Sequence, residues 1–261
     1  MVLRVETASG ARWVYKGQWG APHEAGFYRQ ARSPLLPRCQ VLLEEPERSA
    51  LLLEYVDAPN LCQRRPAEDE AAALARDLTH RIQEIQGDPP VVERLDSAER
   101  WREFQARTIQ RVRLLGERRL IRPVAESVLG ELARSASQSQ VEDALADGTG
   151  LMHSDLHAEN VFVLPHGGWK VVDWQKPRTG PLAVDRALLL ETLEYDPLAH
   201  VSASAVLLMN FLRMGDCASC LWEAGWDPGG AAERHLLFRI SGVLAVSPSA
   251  RDTAQPRAPP L

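Results

Sequence analysis

HSDLHAEN, residues 153–160, sets two histidines, two acids and an asparagine between Leu151-Met152 and the apolar run 161–164. So much polarity between two packed segments reads as a loop whose side chains converge on something. Asp155 and Asn160 have D-x-x-x-x-N spacing. Beyond them lie an apolar run, a turn at His166-Gly167-Gly168, and a second apolar run ending at Asp173. That is the pattern of a β-hairpin. Folding the chain back brings Asn160 and Asp173 to adjacent strand ends. An amide oxygen and a carboxylate facing one point suit Mg²⁺, which takes oxygen ligands and leaves room for phosphates. Asp155, slightly upstream, is placed to accept a proton from a hydroxyl attacking a phosphoryl group. Taken singly, each residue could be a solvated loop group, a turn cap or a strand end. The three together, around a hairpin, favour chemistry.

These residues resemble a known family. HSDLHAEN followed by VVDWQ is similar to the aminoglycoside phosphotransferase and choline kinase-like group, relatives of the protein kinases, whose usual form is H-G-D-x-H-x-x-N and then [IV]-D-[WF]. His153, Asp155, His157 and Asn160 match the first motif, and Asp173 and Trp174 the second. Ser154 stands where the family commonly has glycine. Farther on, GPLAVDRALLL (180–190) resembles the segment G-P-x-x-x-D-L-A, with Arg186 replacing leucine; Asp185 is expected to be a structural hydrogen-bonding residue. His153 is expected to hold the loop, and His157 to order it rather than bind metal.

The resemblance also assigns roles upstream. It implies that Lys16, closing the strand RWVYK, anchors the nucleotide phosphates and that Glu24, on the helix of PHEAGFYRQ, orients it. LLLEYVDAP (51–59) matches the hinge, where backbone groups of Glu54, Tyr55 and Val56 would meet adenine. The resemblance covers about residues 2–57 and 150–192.

The rest of the chain fits this frame. LRVET and RWVYKG alternate around a turn and predict a hairpin. A helix is expected over 23–31, strands over 40–43 and 51–55, and helices over 68–86, from a Ser97 cap to about 115, and over about 123–136. SASQSQ (135–140) reads as a loop or a frayed helix end, and helices return from about 183 into the 240s. The expected fold is therefore α+β, protein-kinase-like and two-lobed. A β-rich N-lobe takes residues 1–57 and a helical C-lobe with the catalytic loop residues 58–246. A disordered tail is expected over 247–261. LRVETASGARWVYK resembles the family's second and third strands, so the first strand and the Gly-rich loop are missing from the sequence. Either the true start lies upstream or the phosphate lid is absent. The first alternative carries the expectation that about 25–40 further residues, with a strand and Gly-rich turn, are encoded before Met1.

Composition narrows the function classes. A net charge of −5 gives no basic excess for nucleic acid or an acidic membrane. No apolar run approaches the ~18 residues of a membrane span, and the start lacks a signal-peptide core. Four cysteines and no export signal point to the cytoplasm. Cys217 and Cys220 have CxxC spacing without a second pair and are expected to pack on a helix. The expected activity is ATP- and Mg²⁺-dependent phosphoryl transfer to a hydroxyl of a small molecule of aminoglycoside, choline, sugar or amino-alcohol type. Asp173 and Asp185 are only twelve positions apart, which leaves little platform for a peptide. Glu191, Glu194, Asp196, Asp216, Glu223 and Asp227 could line a site for a cationic acceptor. The alternative is a non-catalytic, pseudokinase-type nucleotide-binding protein.

Overall fold

The computed structural model describes residues 1–224 and 230–247. The expected tail, from residue 248 onward, and Asp227 lie outside them. Two compact units emerge, Met1–Arg94 with Gly150–Pro197, and Leu95–Thr149 with Leu198–Leu261.

In the first unit, β1 (Val2–Glu6) and β2 (Arg12–Trp19) form the expected hairpin, β3 (Cys39–Glu45) and β4 (Arg48–Glu54) a second one, and the sheet runs β1-β2-β4-β3. Gly10 takes φ +80° in the first turn, a conformation open to glycine at no steric cost. Leu51 and Leu53 of β4 face inward onto α1 (His23–Gln30), which contributes Ala25, Phe27 and Tyr28 to the same core.

Beyond the hinge, Asn60 caps the short α2 (Leu61–Arg64), its side chain accepting from Gln63 N–H at 3.0 Å. α3 (Glu68–Gln83) buries the stripe Ala71, Leu74, Ala75, Leu78 and Ile82. Glu68, Asp69 and Glu70 in its first turn suit the positive end of the helix dipole. α1 is held at its far end as well. Arg32 and Gln86 exchange backbone bonds of 2.9 Å in each direction. Gly87 (φ +99°) lies so close that a Cβ would stand 2.2 Å from the Gln30 carbonyl oxygen.

The stretch 149–181 joins this core. β5 (Glu93–Arg94), β6 (Thr149–Met152) and β9 (Arg178–Pro181) make a small sheet in the order β5-β9-β6, while β7 (Val161–Val163) and β8 (Trp169–Val171) form the predicted hairpin. Val171 N–H bonds to Leu35 O at 2.8 Å and Val163 N–H to Pro59 O at 2.9 Å, tying the hairpin to the segments after α1 and after the hinge. α7 (Leu182–Thr192) packs along α3.

The second unit is helical: α4 (Ala98–Glu117), α5 (Glu126–Ser135), α6 (Gln138–Ala146), α8 (Ala203–Ala224) and α9 (Ala231–Val246), with α8 packed on α4, α6 and α9. Ser97 caps α4 as expected, accepting from Arg100 N–H at 3.3 Å. SASQSQ is not frayed. It carries the start of α6, where Ser137 N–H donates to Gln140 Oε1 at 3.0 Å and closes the first turn. Cys217 and Cys220 both sit on α8, and burial raises the Cys217 thiol to about 11. Among the described residues no helix is long and apolar enough to cross a membrane.

Candidate active site

The loop after β6 is pinned from below. Asp185, in the first turn of α7 and fully enclosed, accepts backbone N–H bonds from His153 (2.7 Å) and Ser154 (2.9 Å). Burial pushes its carboxyl up to about 7, with those two donors opposing the shift. His153 is fully buried, which lowers its pKa and favours the neutral ring. Its Nε2 lies 2.9 Å from Val172 O, and its Nδ1 accepts from Asp155 N–H at 3.3 Å. Only the tautomer with hydrogen on Nε2 satisfies both contacts. His153 therefore couples the backbone before Asp173 to the backbone of Asp155. Trp174 closes this layer, stacked on Phe27 at 4.3 Å and tilted against His153 at 4.5 Å.

Ser154, where the resemblance expects glycine, adopts φ +65° and is completely buried, and its Oγ has no hydrogen-bond partner. The turn is one that glycine makes without Cβ strain. Its geometry puts Asp155 at the loop surface, with a side chain about one-third exposed and Oδ1 3.0 Å from His157 Nε2.

The hairpin delivers the remaining groups. Val172 N–H bonds to Asn160 O at 3.0 Å, so the strand ends stand side by side. Asn160 Nδ2 donates to Asp155 O at 3.0 Å, which leaves Oδ1 as its outward acceptor. Asp173, in the left-handed region at φ +71°, ion-pairs through Oδ1 with Lys16 and accepts there from Gln175 Nε2 at 2.6 Å. Lys16 Nζ also lies 2.7 Å from Glu24 Oε2, and Gln18 Nε2 donates to the same carboxylate at 2.8 Å. Burial pulls the Lys16 ammonium down, but Glu24 and Asp173 outweigh it, so its pKa is raised and its charge kept. Burial pushes Glu24 up, while Lys16 holds it back.

A cleft of about 790 Å³ opens over these groups. Val2 and Val14 line it from the sheet, Phe162 and Val172 from the hairpin, and Glu54, Tyr55 and Val56 from the hinge; Lys16, Asn160 and Asp173 lie along it. Glu24 and Asp155 are not in its wall: Glu24 stands behind Lys16, and Asp155 on the loop. Glu54 N–H is bonded to Arg38 O (2.8 Å) and Tyr55 N–H to Arg12 O (3.3 Å). Val56 N–H is the hinge donor with no such bond among the described residues. The Arg4 and Arg12 guanidiniums lie 5.0 and 4.7 Å from the Tyr55 ring centroid, and Arg12 pairs with Asp57.

Among the described residues no three His, Cys, Asp or Glu side chains form a metal-binding group. Asn160 Oδ1 and Asp173 fit a hard cation only if phosphate and water oxygens complete its shell, the usual Mg²⁺ arrangement. The acidic residues that could line a site for a cationic acceptor divide between the units: Glu191, Glu194 and Asp196 belong to the first, Asp216 and Glu223 to the second, and Asp216 is buried in α8. Sequence reasoning missed Gln18 and Gln175, whose spacing marks nothing. It also missed the Lys16–Asp173 contact, which only the folded hairpin creates.

Known proteins share this architecture. A choline/ethanolamine kinase family protein from Mesorhizobium loti superposes with a TM-score of 0.60 at 16% identity, over 95% of this chain and 89% of its own. A microcompartment-associated aminopropanol kinase gives 0.58 at 14%, over 97% and 89%. A thermostable mutant of an aminoglycoside phosphotransferase, in ternary complex with ADP and hygromycin B, gives 0.55 at 13%, over 98% and 95%. At such identities the likeness establishes the fold, which is protein-kinase-like. No curated protein sequence matches the chain. The profile of one family does match, over residues 20–206, most of the chain, including the loop 153–160 and the hairpin after it but not the Lys16 strand: the chain belongs to the phosphotransferase enzyme family.

Proposed function

We propose that this chain transfers the γ-phosphoryl group of ATP to a hydroxyl of a small molecule, with Mg²⁺ as cofactor. The observation that carries the reading is the convergence of Lys16, Asn160 and Asp173 on the cleft that the hinge lines, with Asp155 bound to Asn160 through its carbonyl. Val2 and Val14 above and Phe162 below offer apolar faces to a flat base, and Val56 N–H offers it a donor. Lys16, held charged by Glu24, meets the phosphates. Asn160 Oδ1 and Asp173 would hold Mg²⁺, which supplies charge neutralisation to the phosphate oxygens. Asp155 orients the acceptor hydroxyl and takes its proton; catalysis then rests on position and electrostatics. The ADP bound by the aminoglycoside phosphotransferase relative supports a nucleotide in the corresponding fold. Free cysteines and a need for ATP fit a cytoplasmic location.

One observation favours a second reading, nucleotide binding without transfer. Lys16 already satisfies the carboxylate of Asp173, which a metal would have to share. Titrating Mg-ATP and metal-free ATP by calorimetry, beside a coupled assay over amino-alcohols, sugars and aminoglycosides, separates the two. Transfer predicts Mg²⁺-dependent binding, loss of that dependence in Asp173→Ala, and turnover with one acceptor class. Binding with no turnover on any acceptor supports the second reading, and no nucleotide binding contradicts both.

A further inference from the structure

Asp173 carries two donors on one oxygen. Lys16 ion-pairs with its Oδ1, and the Gln175 amide donates to the same atom at 2.6 Å. A carboxylate oxygen offers two lone-pair sites, so Oδ1 is filled. Oδ2 has no such partner among the described residues. Both Asp173 and Gln175 line the cleft, beside Asn160.

The turn from Asp173 to Gln175 does not need that amide. It is closed by the backbone, with Gln175 N–H bonded to Asp173 O at 2.8 Å, and the Gln175 side chain is exposed. What the side chain adds is a donor aimed at a carboxylate. Aspartate χ2 is broad and two-fold, so one donor leaves the carboxylate free to turn, whereas a second donor on the same oxygen fixes its orientation. The other carboxylate that holds Lys16 is treated alike. Gln18 Nε2 donates to Glu24 Oε2 at 2.8 Å, and that oxygen lies 2.7 Å from Lys16 Nζ.

We infer that Gln175 is a positioning residue: its amide holds Asp173 with Oδ1 toward Lys16 and only Oδ2 open to the cleft, and so makes the site prefer Mg²⁺ to Ca²⁺ as the nucleotide's partner. The inference rests on the Mg²⁺-nucleotide reading of the site and goes on to say what selects the ion. Mg²⁺ is small, demands near-octahedral geometry and keeps most of its shell as water and phosphate oxygens. Ca²⁺ takes more oxygens, often both of one carboxylate. With Oδ1 filled, Asp173 has one oxygen to offer, beside Asn160 Oδ1. That suits the smaller ion and withholds the two-oxygen contact that favours the larger one. Without the amide, a lone-pair site on Oδ1 is freed and the carboxylate can turn to present both oxygens.

Calorimetric titration of the whole chain with Mg-ATP, Ca-ATP and metal-free ATP, in the absence of acceptor, tests this. Gln175→Met removes the donor and keeps the length of an exposed side chain. Gln175→Glu removes the donor and adds an oxygen. The wild type should bind Mg-ATP more tightly than Ca-ATP or metal-free ATP. In Gln175→Met the preference for Mg-ATP over Ca-ATP should fall about three- to tenfold, and in Gln175→Glu at least as far. A role confined to folding would instead weaken all three ligands together. A preference unchanged in both variants, a parallel loss of all three ligands, or a wild type that does not prefer Mg-ATP to Ca-ATP would overturn the inference and leave the Mg²⁺-nucleotide reading standing. Equal binding of Mg-ATP and metal-free ATP by the wild type would overturn both.

Discussion

Ser154 holds a left-handed backbone with an L side chain and buries a hydroxyl that has no partner. Each feature costs about 1 kcal/mol or more. Ser154→Gly should therefore raise unfolding free energy by about 1–2 kcal/mol in denaturant melts; unchanged or lower stability would show that the Oγ has a partner in solution. Asp185 beneath it has a pKa raised by burial to about 7 against 3.8 for an ordinary aspartate. The folded state then binds this proton more tightly than the unfolded state does. The stability contribution is full below about pH 4 and is lost as pH rises through about 7. Relative to Asp185→Asn, the wild type should lose stability with rising pH across that window and run parallel above it. Urea melts between about pH 4.5 and pH 8.5 check the sign, and a wild-type stability that rises relative to the variant would contradict it. The approach of Asn160 to Asp173 was legible because spacing around a hairpin fixes which strand ends meet. Ser154's strain was not, since φ is set by the turn into which Asp185 pulls the loop.

At the scale of elements, alternation and caps located most strands and helices, and the exceptions have local causes. β9, RTGP, is too short and too rich in Gly and Pro to alternate, and pairs only because β5 and β6 lie on either side of it. α6 starts in a serine-glutamine run whose composition reads as loop, and the Ser137–Gln140 cap decides otherwise. Gly215, in the middle of α8, is the reverse case. Replacing an exposed helical glycine by alanine normally stabilises by up to about 1 kcal/mol. Here a Cβ would stand 2.5 Å from Phe104 Cζ and 2.9 Å from Thr108 Oγ1 of α4. Gly215→Ala should lower the melting temperature by several degrees, at an overpacking cost of about 1–3 kcal/mol. A melt at or above the wild type would mean that α4 gives way freely.

For the whole molecule, a single unit carries the sheet, the segment Glu54–Val56 and the hairpin that together line the cleft. That grouping could not be read from the sequence, because the chain leaves the unit at Arg94 and returns at Gly150. The proposed division of labour makes binding and transfer separable. Lys16, Asn160 and Asp173 face the cleft, whereas Asp155 sits outside its wall, on the loop. The most direct measurement is the paired determination, on wild type and Asp155→Asn, of Mg-ATP affinity by calorimetry and of turnover with the acceptor that the assay identifies. The account predicts an affinity within about threefold of wild type and a turnover reduced ~10²–10⁴-fold. Turnover within about threefold of wild type would remove Asp155 from the chemistry and contradict the account.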